Sequence, residues 1–520
     1  MARTGRARRV RQAQLGAQGV RGDVLERERI VVMRGRADLA AIALIALSLI
    51  RIAATFTIYS ATVDEPMHVS AALQLYTQHD YTYQPVNPPL PRLVFGLAPW
   101  IGGMQFDPKN TMEDQLLHVF HSNHRYKTNL VLARSGNLLF FVIAAIAVWW
   151  WARRELGANG GLVAVALFAL QPVVAGYAGL VTHDISATAG VAVSLLAFAR
   201  WLDVPSARHA MVFGAAFAFA VLCKFSDIGY VPAACLAMYL VRASRDAQTR
   251  GAWRHIAPSF GTALATCVVL IWAGYGFKTH WFFAGIHDLI WFDRMDFFGY
   301  AFGHIKPRGW WWYFPAAVAL KSTIAALVLG LCAFFVRQTR VAGEALAAAL
   351  AILAVSLTSH LDLGVRYVLP LYAPLSVAGA AAALAMFQHH RLRIAAAVLL
   401  AWHAVASIIA IPDAFPYFNE FAARRPWLYL LDSNLDWGQD ILRLKRAVRA
   451  KKIDRLAVVA MGGHDYDSLG FPPTSLLSRD IPTQGWAAVS EHAYRFVGYQ
   501  WLHGRPYERI GKSIRLYYIP

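Results

Sequence analysis

The chain has 520 residues, 57% of them apolar and only 16% charged, with a net charge of +19 and four cysteines. A soluble globular protein carries about 25% charged residues, so this balance excludes an ordinary water-soluble enzyme. Cys223, Cys235, Cys267 and Cys332 all fall inside apolar stretches, which excludes a disulfide framework and a thiolate metal site.

The basic excess begins the chain. Residues 1–36 hold ten Arg against Asp23, Glu26 and Glu28. Such a tail can serve nucleic acid, but beside an apolar stretch it reads as a cytoplasmic tail facing anionic lipid, so residues 1–37 are assigned that role and no nucleic-acid partner is expected. The charged stretch is too long for a cleaved leader, and Ile58-Tyr59-Ser60-Ala61 is a poor cleavage site.

Apolar runs long enough to cross a bilayer then recur. Eleven spans are predicted, near 39–58, 134–151, 160–178, 185–201, 209–223, 228–241, 257–275, 314–336, 343–357, 365–387 and 392–411. With the Arg-rich tail inside, the alternate loops carry Arg153 and Arg154, Arg200 and Arg208, Arg242 to Arg254, Arg337 and Arg340, and Arg391 and Arg393. Each fits the inside bias of basic loops. The same count puts the loops 59–133 and 276–313, the turns near 179–184, 224–227 and 358–364, and residues 412–520 on the outer face. The fold class expected is an all-α polytopic membrane bundle over 38–411, with a small extracytoplasmic α/β domain over 412–520. In that domain Asp436 to Lys452 reads as an amphipathic helix, and Arg455–Met461 and Ser513–Ile519 read as strands.

Chemistry is concentrated on the outer side. Thr62-Val63-Asp64-Glu65-Pro66-Met67-His68 follows directly on the first span. Adjacent carboxylates at a membrane boundary are a functional-site hypothesis by default; the plain alternative is a helix start, with Asp64 as N-cap and Pro66 in the first turn. Glu65 and His68 are three apart and share a helical face, a spacing seen in metal-binding bundles, but one copy does not make a metal site and none is assigned. A proline-rich stretch from Asp80 to Arg92 contains Asn87.

Asp-Glu-Pro-x-His after the first span, followed by Asn87-Pro88-Pro89-Leu90, resembles bacterial members of the protein O-mannosyltransferase and aminoarabinose-transferase superfamily. The resemblance covers about residues 39–411. It implies a multi-span glycosyltransferase of the type C fold, which passes a sugar from a polyprenyl-phosphate carrier to an acceptor on the outer face. It implies Asp64 as the catalytic acid residue, with Glu65 beside it, and Asp184 in Thr182-His183-Asp184 as a second acidic position. Asp184 could equally cap the fourth span.

Lys224 and Arg366, with Tyr367 adjacent, are cations on the outer side, against the inside bias. They are candidates to hold the carrier phosphate as charge develops on it, the alternative being snorkelling to headgroups. His68, Asn87 and Arg92 join them as candidate donor-binding residues; Arg308 and Lys321 are fainter ones. The aromatic-rich loop 276–313 reads as an interface belt, with a guide for a prenyl chain as the sharper alternative. Asp432, Asn434, Asp436 and Trp437 copy the opening of a calcium loop, but Trp437 takes the glycine position and Arg443 the closing glutamate position. Helix capping or acceptor binding is expected of them instead.

The combined expectation is a glycosyltransferase of the bacterial inner membrane, hexosyl- or pentosyl-transferring. Its partners are a polyprenyl-phosphate-linked sugar, membrane lipids and an envelope acceptor. Asp64 takes the acceptor proton while Lys224 and Arg366 hold the departing phosphate; if the acceptor is itself a phosphate, Asp64 orients instead. The sequence shows no required cofactor and leaves room for a divalent cation. The alternative is a lipid or sugar transporter or flippase, whose buried charges would line a pathway. No internal repeat supports it.

Overall fold

A helix from 35 to 53, α1, opens the structure, a computed structural model that describes residues 35–245, 247–336 and 339–520. The basic tail expected over 1–37 thus lies outside the described residues up to 34. The outward residues of α1, Leu39, Ile42, Leu47 and Ile50, are all exposed. A continuous apolar face of this kind is what a helix presents to lipid rather than to water.

The segment 59–133, read from sequence as a long polar loop, is largely helical: α2 (Glu65–Gln78), α3 (Pro89–Ile101), α4 (Met112–His118) and α5 (Tyr126–Ser135). Pro66 and Pro89 stand in first turns, where the missing N–H costs nothing. Thr111 and Asp114 close the start of α4 with a reciprocal capping box.

The bundle continues through α6 (Asn137–Ala169), α7 (Pro172–Ala178), α8 (Asp184–Asp203), α9 (Ala207–Cys223), α10 (Asp227–Arg245) and α11 (Ala247–Gly274). Gly157, at φ 79°, breaks α6 into two helices, so the spans expected at 134–151 and 160–178 lie on either side of the break. The aromatic loop 276–313 is not a loop: it holds α12 (Thr279–Arg294) and an antiparallel hairpin, β1 (Phe298–Ala301) with β2 (His304–Pro307). Then come α13 (Tyr313–Lys321) and α14 (Ile324–Cys332), sharply bent at residues 322–323, followed by α15 (Arg340–Ser356), α16 (Tyr372–Gln388) and α17 (Arg393–Ile409).

Helices stand at all the expected span positions, yet among the described residues only four are long and apolar enough to cross a bilayer, or five if the bent pair is one span. The reasons are physical. Helices such as α9 and α17 are single short elements, and others are interrupted by a glycine or a bend. Hydropathy sums over such breaks; hydrogen-bonded length does not.

After the bundle, α18 (Ile441–Ala450) packs its Ile441, Leu444 and Val448 stripe onto a sheet. The five strands run in the order β4 (Thr474–Leu476), β3 (Leu456–Val459), β5 (Gly485–Ser490), β7 (Ile514–Ile519), β6 (Glu508–Ile510). β3 is parallel to both β4 and β5, whereas β7 is antiparallel to β5 and β6. The carboxyl ends of β3 and β5 therefore point the same way, the side on which such sheets bind ligands.

A strap over 431–440 joins sheet to bundle. Ser60 N–H donates to the Gln439 carbonyl at 2.9 Å, Val63 N–H to the Trp437 carbonyl at 3.1 Å, and Ser60 Oγ to the Gly438 carbonyl at 2.8 Å. Gly438, at φ 83°, lies so close to Met461 that a Cβ there would sit 2.6 Å from the Met461 carbonyl oxygen. This pairing brings Trp437 and the end of β3 beside Asp64.

Candidate active site

A cavity of about 850 Å³ opens between α2, the starts of α8 and α10, α12, the segment 355–367, the strap and the sheet domain. Of the residues singled out in the sequence, Asp64, His68, Asn87, Asp184, Lys224, Arg366, Tyr367, Asp432 and Trp437 line it. They come from segments more than 370 residues apart in the chain, brought together by the packing of α8 and the strap.

Asp64 begins α2, but its side chain makes no capping bond. Its Oδ2 instead accepts from Arg366 Nη1 at 2.7 Å. The guanidinium lies 4.4 Å from the Trp437 ring centre and 5.1 Å from that of Tyr367. The bond, the two aromatic faces and the burial of Arg366 fix its direction. Gly364, at φ 136°, makes the turn that presents it, and a Cβ there would overlap Ser433 Oγ.

The second pair is Lys224 and Asp184, with Nζ 2.6 Å from Oδ1. Asp184 is the first residue of α8 and Lys224 follows the end of α9, so two helix termini meet here. Lys224 also stands 4.7 Å from the Tyr367 ring centre. Four charges, two of each sign, thus lie around one Tyr–Trp wall. Asp184 Oδ2, Arg366 Nε and His68 Nδ1 are buried with no hydrogen-bond partner among the described residues. Buried polar groups left open need an explanation; an incoming polar ligand supplies one.

His68 lies one turn after Asp64, and its ring centre is 4.9 Å from that of His183. Burial pushes its imidazole down to about 4, with Asp64 opposing and Arg366 adding to the shift. It is therefore neutral at ordinary pH and can donate or accept a hydrogen bond, but adds no charge. Asn87 lies at the rim, where its backbone carbonyl accepts from Tyr81 Oη.

Other expected site residues take different positions. Glu65 is not a cavity residue. It is fully buried and accepts from Arg134 Nε at 2.8 Å and Nη2 at 2.7 Å, from Thr62 N–H at 2.8 Å and from Val181 N–H at 2.9 Å. This carboxylate has no free oxygen to offer a substrate. Arg92 is likewise buried away from the cavity: it donates to the carbonyls of Tyr83 and Gln84 and lies 4.3 Å from the Tyr81 ring centre. The reason is backbone accounting, since the proline-rich loop leaves carbonyls that need donors.

Asn434 accepts from Val365 N–H at 3.0 Å and donates to Tyr313 Oη at 2.8 Å. Asp436 accepts from His492 N–H at 2.6 Å. Asp432, Asn434 and Asp436 thus reach three different places, which removes the geometric basis of the calcium resemblance and of a joint acceptor site. Of the fainter candidates, Lys321 is buried and donates to the Phe415 carbonyl at 3.0 Å, and Arg308 is half-exposed beside Asp296. Among the described residues no group of three or more His, Cys, Asp or Glu is placed to hold a metal ion.

Sequence reasoning missed Arg134, His183 and His492. Arg134 could have been found as an arginine inside an otherwise apolar run. His492 carried no signal, because it reaches the cavity only through the sheet: together with Met461 it comes from just beyond the carboxyl ends of β5 and β3. Leu289, Ile290 and Phe292 of α12, with Phe297 and Phe298 beyond it, give the cavity an apolar stretch, which also carries the charges Asp293 and Arg294.

Residues 127–272 match the family described as dolichyl-phosphate-mannose-protein mannosyltransferase. No curated protein matches the chain. Among solved structures, ArnT from Cupriavidus metallidurans, bound to undecaprenyl phosphate, is similar with 13% identity and a TM-score of 0.48, over 91% of this chain and 97% of that one. The oligosaccharyltransferase AglB from Archaeoglobus fulgidus, in complex with an inhibitory peptide and a dolichol-phosphate, is similar with 14% identity and a TM-score of 0.43, over 86% of this chain and 62% of that one. The resemblance read from Asp64-Glu65-Pro66-Met67-His68, to the superfamily of polyprenyl-phosphate-using mannosyl- and aminoarabinose transferases, is borne out by the family match over residues 127–272.

Proposed function

We propose that the chain is a membrane glycosyltransferase that moves a hexose or pentose from a polyprenyl-phosphate carrier to an envelope acceptor at the outer face of the bacterial inner membrane. The observation that carries this reading is one cavity lined both by two carboxylate–cation pairs, Asp64–Arg366 and Asp184–Lys224, and by the apolar side chains Leu289, Ile290, Phe292, Phe297 and Phe298. A polyprenyl phosphate has that same division into anionic head and apolar chain.

In this reading the carrier phosphate enters between Arg366 and Lys224, which stabilise it as the leaving group. The prenyl chain follows the α12 wall, the sharper of the two roles considered for the aromatic segment. The acceptor oxygen attacks the anomeric carbon, and its proton passes to a carboxylate of the cavity. Asp64, bonded to Arg366, aims that guanidinium and balances its charge until the phosphate arrives. The domain division at 411–412, the eleven-span count and the cytoplasmic N-terminus belong to the same proposal, supported by the alternation of basic loops. Arg366 and Lys224 supply positive charge at the phosphate, with or without a divalent cation.

The test is mass spectrometry of cell-envelope glycans, glycolipids and glycoproteins from a deletion strain complemented with the wild-type chain or with Asp64→Asn. One sugar should disappear from one acceptor class and return with wild type alone. Full restoration by Asp64→Asn would remove Asp64 from the reaction centre. An unchanged envelope, with altered distribution of a lipid-linked sugar between leaflets, would put transport in its place.

A further inference from the structure

Resting on the glycosyl-transfer reading, we propose that Arg495, Arg509 and Arg515 of the sheet domain form an anion site beside the transfer cavity, and that it holds a phosphate or carboxylate of the acceptor.

Strand register builds the cluster. Arg509 on β6 stands opposite Arg515 on β7, and Arg515 opposite Val489 on β5, so both arginines project from one face of the sheet. The helical turn 491–498, which follows β5, adds Glu491 and Arg495, four apart and on one side of that turn. Glu491 accepts from Arg515 Nε and Nη2, each at 2.8 Å, and from Arg509 Nη2 at 2.9 Å.

The charges do not balance. Three guanidiniums share one carboxylate, and Glu508, the acidic neighbour of Arg509 in the chain, is taken by Lys451 at 2.7 Å. The plain alternative is a structural clasp, and Arg515 fits it. Its side chain is 7% exposed, its fork is filled by Glu491, and its guanidinium lies 3.8 Å from the Tyr494 ring centre. Arg495 does not fit it. It stands 4.0 Å from Glu491 and 5.6 Å from the Tyr494 ring centre, yet makes no hydrogen bond among the described residues. Its Nε is buried without a partner there, while the side chain as a whole is 27% exposed, beside an Arg509 that is 24% exposed. A clasp around Glu491 has no use for this extra guanidinium. An oxyanion has, because guanidinium N–H groups match phosphate and carboxylate oxygens.

The same turn ties the cluster to the cavity. His492, next to Glu491, lines the cavity. Its ring stacks on Phe496, next to Arg495, with ring centres 4.2 Å apart. One side of the turn therefore faces the cavity and the adjoining side carries the arginine. Residues 494–498 are wound as a π turn, a form found mostly at functional sites. Aromatic groups frame the cluster. Phe496 lies 6.0 Å from Tyr300 of β1, Tyr300 Oη donates to the Trp427 carbonyl at 2.8 Å, and Arg509 lies 3.9 Å from the Trp427 ring centre. A molecule whose anionic group rests on Arg495 and Arg509 has its remainder beside His492, at the cavity wall. Arg366 and Lys224 already provide for the donor phosphate, so the anion at this second place belongs to the acceptor.

Membrane vesicles from the deletion strain, which contain both carrier-linked sugar and acceptor, are diluted and supplied with wild type, Arg495→Gln or Arg495→Lys. Arg495→Gln removes a charge that no hydrogen bond holds, so its denaturation midpoint should match wild type. Its transfer should fall about tenfold, the effect of losing one charge-assisted hydrogen bond. Arg495→Lys, which keeps the charge, should restore most of the rate, and both variants should bind undecaprenyl phosphate as wild type does. With the cavity saturated by undecaprenyl phosphate, the purified wild-type chain should still bind inorganic phosphate, and Arg495→Gln should bind it about tenfold more weakly. That gap should persist in both phosphatidylcholine and phosphatidylglycerol vesicles. Its disappearance in phosphatidylglycerol alone would give the arginines to lipid headgroups and overturn the assignment. So would wild-type transfer by Arg495→Gln, a denaturation midpoint that falls in step with transfer, or loss of carrier binding. A wild-type chain that transfers no sugar would overturn the glycosyl-transfer reading instead, while phosphate binding would still test the site.

Discussion

Glu65 provides the sharpest separation of chemistry from architecture. Sequence puts it beside Asp64 as a candidate catalytic acid; the structure buries it, with both it and Arg134 at 0% side-chain exposure. Arg134 also donates to the Tyr59 carbonyl at 3.1 Å and the Ser60 carbonyl at 2.8 Å, so the pair clamps the end of the first helical segment to α2 and α5. Removing one partner of a buried pair costs about 3–5 kcal/mol, because the other charge is left uncompensated. Against a total stability of about 5–15 kcal/mol, Glu65→Gln should lower the denaturation midpoint of the detergent-solubilised chain markedly. The double variant Glu65→Leu with Arg134→Met removes both charges but leaves the Tyr59 and Ser60 carbonyls and the Thr62 and Val181 amides without these partners, so it should recover only part of the loss. The pH dependence has a definite sign. Burial raises the Glu65 carboxyl, but Arg134 and the amides of Thr62 and Val181 outweigh it, so its folded value lies below the ordinary 4.5. The stabilisation is then complete above about pH 4.5 and fades as pH falls through the folded value; Glu65→Gln should lack that acid limb. A Glu65→Gln chain as stable as wild type yet unable to transfer sugar would refute this reasoning and return Glu65 to the chemistry.

Arg366→Ala and Lys224→Ala should each weaken undecaprenyl phosphate binding by about tenfold or more, since a charge-assisted hydrogen bond contributes about 1.5–3 kcal/mol; calorimetry on the purified chains reads this directly. Gly364→Ala combines a positive φ of 136° with a Cβ that meets Ser433 Oγ, so it should cost about 1–3 kcal/mol and lower transfer, both readable by thermal denaturation and the vesicle assay. Asp362 accepts from Trp310 N–H at 2.6 Å, and burial, against that bond and Lys306, raises it from 3.8 to about 7. The unfolded chain thus releases this proton first, and stability should fall as pH rises from about 4 to about 7; Asp362→Asn should flatten that slope in denaturation midpoints taken across the range.

The short sequence motifs led to the cavity because they record what a membrane makes expensive. Asp64, Asp184, Lys224 and Arg366 are charges at span ends, and a charge there is retained only for a reason. All four line one cavity. The same logic failed for Glu65 and Arg92, which are equally costly but whose reason is internal: one neutralises Arg134 and the other satisfies loop carbonyls. A one-dimensional pattern gives the expense of a charge, not the identity of its partner. It also treated 276–313 as a loop, because aromatic residues suit an interface, a helix or a hairpin alike.

Composition, hydropathy and the positions of arginines were enough by themselves to determine a helical membrane chain with a small sheet domain after it, since burial in lipid constrains every residue of a span alone. Tertiary structure alone decided which charges meet. Arg366, roughly three hundred residues from Asp64 in the chain, bonds to it at 2.7 Å, while the adjacent Glu65 turns away to Arg134. The partner of a charge is set by distance in space, and no local sequence window contains that distance.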